Sequence, residues 1–177
     1  MNRENTKPAE AAGSALAASL PFDLRWISFG SPAAIVTCMA LIVGLDAATA
    51  TKTAVLASLL IIGIADNLTD SLSVHIYQES ERMAQRRAFR VTAANYAARF
   101  AVSGSFIVLV LALPPAAAIP ACLVWGTLLL SVLTYLLARD RSVSVWLEIV
   151  KHLGVAATVI LLGNAIGLLV GTMLGPV

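Results

Sequence analysis

The chain has 177 residues, of which 59% are hydrophobic and only 12% charged, with a mean hydropathy of +0.86. Soluble domains carry about twice that share of charge, so an aqueous globule is excluded and lipid is the fitting solvent. The net charge of +2 is too small to indicate a nucleic-acid partner, and Cys38 and Cys122, both in apolar runs, read as reduced packing residues rather than a disulfide.

Residues 1–20 are polar, then rich in Ala and Ser, and read as a mobile tail. Their apolar run is short, and Glu4 and Glu10 spoil the basic region a signal peptide needs. Residues 20–29 mix aromatics with charges, which suits an interfacial segment or a plain linker. Five apolar runs follow in the remaining domain, residues 21–177. The first covers about residues 32–49. The second covers about 53–72 and continues as a polar helix to about 88. The third covers 96–113, stopping at Pro114 and Pro115; the fourth covers 120–138; the fifth covers 147–174. Each is long enough for a crossing that takes roughly 20 apolar residues. The runs are continuous rather than alternating, which excludes a barrel. The expectation is an all-α integral membrane bundle of five transmembrane helices.

Loop charge predicts the orientation. Arg82, Arg86, Arg87 and Arg90, with Arg99 nearby, follow the second run, and Arg139 and Arg141 follow the fourth. The other two loops hold only Asp46 and Lys52. Basic loops stay inside, so the N-terminus is expected in the cytoplasm and the C-terminus outside, in a plasma (inner) membrane.

Chemistry is concentrated at the end of the second run, where residues 63–81 read GIADNLTDSLSVHIYQESE. Asp66 falls 13 residues after Thr53, roughly 20 Å along a helix. A carboxylate at that depth marks an ion or proton path. Asp70 shares its face at i+4, and reads either as its partner or as a solvated interfacial residue. Gln78 is placed on the same face, with Glu79 and Glu81 at the cytoplasmic mouth or simply on a solvated helix end. His75 is a candidate ligand or an interfacial polar residue. Cys38 and Met39 are candidate soft ligands, with packing as the plainer reading. Oxygen ligands with amide and imidazole groups suit Mn²⁺ or Fe²⁺. In the last run Gly163, Gly167, Gly171 and Gly175 recur every four residues. They form a small-residue face for close helix packing, within the fold or between subunits. No nucleophile–base pair or phosphate loop is found, so no enzyme activity is expected.

Residues 63–81, together with Gly30, residues 35–37, residues 43–44, Gly154 and the glycines from Gly163 to Gly171, resemble the vacuolar iron transporter family. The resemblance covers about residues 25–175. It implies a homodimer that moves Fe²⁺ or Mn²⁺ out of the cytoplasm in exchange for protons. No cofactor would be permanently bound, and the path would run between the first two helices of each subunit. By position, Asp66 matches the family's acidic or amide residue and Gln78 a later polar one. The family's first-helix aspartate is replaced by Ala33 and its methionine after Ser73 by Val74. The acidic cytoplasmic helices between the second and third spans are absent. Of these departures, Ala33 and Val74 favour the other reading, a non-transporting membrane scaffold or regulatory protein with a decayed metal site.

Overall fold

The computed structural model describes residues 30–82, 84–140 and 143–175. The N-terminal tail, nearly all of the segment leading into the first helix, and Arg141 lie outside the described residues. Among those described, every regular element is helical: α1 (Ser31–Ala47), α2 (Lys52–Ser80), α3 (Gln85–Ala112), α4 (Pro115–Asp140) and α5 (Val145–Leu174). Helices α2, α3, α4 and α5 are long and apolar enough to cross a membrane, and α1 is a shorter apolar helix. Large apolar side chains such as Val108, Leu111, Leu161, Ile166 and Leu169 are more than half exposed. A surface of this kind suits lipid rather than water, and the arrangement is that of a multi-pass membrane protein.

The shortest helix is the central one. Ser31, Ala34, Ile35, Cys38, Met39 and Ile42 of α1 are all buried, because α1 packs against each of the other four helices. Pro32 sits in its first turn, where a missing N–H costs nothing. Its end is a Schellman closure: Ala50 N–H reaches the Leu45 carbonyl at 2.9 Å and Thr49 N–H the Asp46 carbonyl at 2.8 Å. Thr49 occupies the left-handed position, φ 60°, that glycine usually fills. The next helix starts at once, with Thr51 Oγ1 accepting the Ala54 N–H at 3.2 Å.

Contacts between helices fix their directions. Gly44 meets Gly163, and Ala48 meets Gly171, so α1 and α5 run parallel. Arg99 reaches Gly30 and Ser103 reaches Cys38, so α3 runs parallel to both. In α2, Asn67 meets Ser103 and His75 meets Thr92, the antiparallel register. At the α1–α2 turn, Lys52 Nζ donates to the Leu111 and Leu113 carbonyls, each at 3.1 Å. It thereby satisfies the free carbonyl end of α3.

Three boundaries differ from the apolar runs. Helix α2 stops at Ser80 rather than near 88, with Arg82 left-handed at φ 55°. Helix α3 begins at Gln85 rather than 96, because Gln, Arg and Ala are strong helix formers whether or not they are apolar. Helix α4 begins at Pro115, a residue suited to the first helical position, and carries Pro120 inside it, where the Ala116 carbonyl lacks its i+4 helical donor. Hydropathy marks what lipid can cover, not where a helix ends.

Candidate functional site

The site forms where α2 is irregular. Residues Ile62–Asp66 make a π-helical turn, a feature often found at functional positions. The Asn67 backbone N–H bonds to the Ile62 carbonyl, five residues back, instead of to Gly63. The Gly63 carbonyl accepts the Asn67 side-chain amide at 3.1 Å. That amide also donates to Ser103 Oγ at 3.3 Å, and its oxygen accepts Arg99 Nε at 2.9 Å. Asn67 is fully buried and every polar atom of its side chain is engaged, which pins α2 to α3.

Arg99 is the centre. It is 3% exposed and lies about 14 residues into α3, roughly 20 Å from its start. Its Nη2 pairs with Asp70 Oδ2 at 2.5 Å and with Asp66 Oδ2 at 3.7 Å. Nη1 donates to the Gly30 carbonyl at 3.0 Å. A buried guanidinium needs this density of partners, and its planar fork can meet several at once. Gly30 makes the approach feasible, since a Cβ there would run into Nη1. Asp66 and Asp70 remain about half exposed, at 51% and 48%. With both ionised, the three charges sum to one net negative charge. The polar chain continues from Asn67 through Ser103 to Cys38 Sγ, which donates to Ser103 Oγ at 3.8 Å.

The structure brings together Asp66 and Asp70, the i and i+4 pair, but around an arginine that loop-charge reasoning had set among the interior cations. The remaining expected site residues lie elsewhere. Gln78 falls on the buried stripe of Asn67, Ser71 and Val74, not beside the aspartates; at eight residues from Asp70 it is about 12 Å further along the axis. His75 bridges to Thr92 Oγ1 through Nδ1 at 3.3 Å and to Glu79 Oε1 through Nε2 at 3.3 Å. Glu79 and Glu81 are exposed at the α2–α3 turn. Cys38 and Met39 diverge: Cys38 meets Ser103, while Met39 Sδ packs where Gly126 leaves room beside Phe106. Among the described residues no three His, Cys, Asp or Glu side chains converge as a metal would require.

The glycine ladder resolves into an internal seam. A Cβ on Gly163 would stand 2.8 Å from the Ala40 carbonyl oxygen, one on Gly167 would run into the Gly44 carbonyl, and one on Gly171 would come within 3.3 Å of Ala48 Cα. Gly175 is not part of it; it ends α5 at φ 80° with open space around it.

Sequence reasoning missed Arg99, Asn67 and Ser103 as a unit. The signal was present: Arg99 lies inside the run 96–113, and a buried arginine demands an acidic partner on a neighbouring helix. Comparison with protein families, with curated proteins and with solved structures finds no match to this chain.

Proposed function

We propose that this protein is a membrane transporter that carries a divalent transition metal, Fe²⁺ or Mn²⁺, out of the cytoplasm in exchange for protons. The observation that supports this reading is the Asp66–Asp70–Arg99 cluster. Its charges lie deep within two long apolar helices, and one carboxylate charge is left unbalanced. Such groups are expensive in lipid and mark ion paths. The unbalanced charge is the one a proton or cation would neutralise, and the carboxylate and amide oxygens are the hard ligands that Mn²⁺ and Fe²⁺ accept. Arg99 acts as the resident counter-charge that holds the pair between transport events. The exposed half of each carboxylate faces outward from α2, where a second copy in a homodimer completes the shell.

On this reading the five helices cross the membrane alternately. The basic α2–α3 turn and the N-terminus are cytoplasmic, the C-terminus is outside, and the membrane is the plasma (inner) membrane. The test is flux into liposomes loaded with a metal-sensitive dye, with and without a pH gradient. Fe²⁺ or Mn²⁺ uptake that depends on the gradient and falls at least tenfold in Asp66→Asn is the expected result. Unchanged uptake in a folded variant overturns the role of Asp66.

One observation favours a second reading, a non-transporting scaffold. Arg99 already engages both carboxylates, Asn67 and Gly30, which is also what a purely structural tie between α1, α2 and α3 requires. That reading expects no divalent ion to raise the melting temperature, whereas a ligand in excess of its Kd stabilises by mass action.

A further inference from the structure

Beside the charge cluster lies a second set of polar atoms that it does not use. Ser71 follows Asn67 by four residues on α2, and Asn95 precedes Arg99 by four on α3. The helices are antiparallel, so both steps lead toward the α2–α3 turn, and the two residues share the level one turn beyond the Asn67–Arg99 bond. Ser71 is 2% exposed and Asn95 is 1%. Yet Ser71 Oγ and both amide atoms of Asn95 have no hydrogen-bond partner among the described residues. The start of α1 closes the same level, since a Cβ on Gly30 would come within 3.3 Å of Asn95 Oδ1. Further toward the turn come buried Val74 and Val91, and then Gln78, whose Oε1 is also buried without a partner.

Buried polar atoms in native proteins are nearly always paired, so three at one level call for an occupant. Its chemistry follows from theirs. The Asn95 amide donates through Nδ2 and accepts through Oδ1, and the Ser71 hydroxyl does both. A metal ion would leave Nδ2 unpaired and lie beside the Arg99 guanidinium, and an anion would leave Oδ1 unpaired. Water donates and accepts, and a buried water needs two to four polar partners. We propose that Ser71 and Asn95 hold a buried water site, one helical turn from the Asp66–Asp70–Arg99 cluster on its α2–α3 turn side. Its role rests on the transporter reading: through hydrogen bonds to Ser71 and Asn95 the water extends the polar path from the cluster toward the cytoplasmic α2–α3 turn, the side on which the exchange gives up its protons.

The experiment uses Ser71→Cys in the full chain, held in lipid nanodiscs without metal or gradient. The S–H stretching band that appears only in the variant is followed by infrared spectroscopy after transfer to D₂O. The native thiols serve as dry references, Cys38 and Cys122 being 0% and 1% exposed. The expected result is exchange at least tenfold faster than at Cys122, slowing at least tenfold when Asn95→Leu is added. Exchange as slow as at Cys122, in a variant that melts like the wild type, overturns the site. Fast exchange that Asn95→Leu leaves unchanged overturns the part given to Asn95. If Ser71→Cys does not fold, Asn95→Cys carries the same measurement with Ser71→Ala as the added change: exchange as slow as at Cys122 overturns the site, and fast exchange that Ser71→Ala leaves unchanged overturns the part given to Ser71. No flux is measured, so failure of transport and failure of this site are told apart.

Discussion

The two ends of α1 are held in opposite ways. Near its C-terminus, residues 40–48 meet α5 backbone to backbone across Gly44, Gly163, Gly167 and Gly171. Near its N-terminus, Gly30 and Cys38 reach α2 and α3 through Arg99, Asn67 and Ser103. One end is fixed by shape, the other by charge and hydrogen bonds. In lipid, where hydrophobic attraction between helices is lost, these are the two means left for holding helices together. Shape gives a joint that ignores salt, metal and pH. The charged joint is the only one of the two that an ion could loosen.

The contrast is open to direct attack, beginning with its costliest element. Arg99→Leu leaves two carboxylates, the Asn67 oxygen and the Gly30 carbonyl without their donor. Loss of about 3 kcal/mol is expected, the low end for a broken buried pair because the carboxylates are half exposed. Arg99→Lys should recover only part of it, since an ammonium keeps the charge but not the fork. Thermal melting in detergent measures both; full recovery by lysine would reduce the joint to a point charge.

At the other end, Gly167→Ala drives a methyl group into the Gly44 carbonyl, with an expected loss of about 1–3 kcal/mol. Gly154→Ala has open space around it and should stabilise by up to about 1 kcal/mol. Similar melting shifts in the two variants would remove the seam as a close-packed joint. The joints are centred on Gly30 and Gly44, roughly 20 Å apart along the helix, so Arg99→Leu and Gly167→Ala should add to within about 0.5 kcal/mol. A larger discrepancy would mean that α1 transmits strain from one joint to the other. The smallest effect is expected between the joints and α2, where Thr49→Gly should stabilise by about 1 kcal/mol through relief of its left-handed backbone.

What the sequence made legible is what depends on one helix at a time. The apolar runs, the four-residue glycine spacing and the i, i+4 aspartates are all properties of a single segment, and each is found in its helix. What it hid depends on two helices at once. Arg99 belongs with Asp70 only when α3 stands in one antiparallel register against α2, and no spacing within either segment states that register. Gln78 was misplaced for a simpler reason. It stands eight residues after Asp70, about 80° further around the axis, and so falls on the buried Asn67, Ser71, Val74, Gln78 stripe.

The π-turn at Ile62–Asp66 can be restated as a matter of phase. Its extra residue per turn advances everything after it by one place on the helical wheel, about 100°. Deleting a single residue from this stretch would restore an ordinary α-helix, with its hydrogen bonds intact and the Lys52–Ile61 segment in its present phase. It would also swing residues 67–80 around the axis, carrying Asn67 and Asp70 off Arg99 together. The match between α2 and α3 is therefore encoded in chain length as much as in residue identity, so a one-residue deletion there should outweigh any single substitution in the cluster.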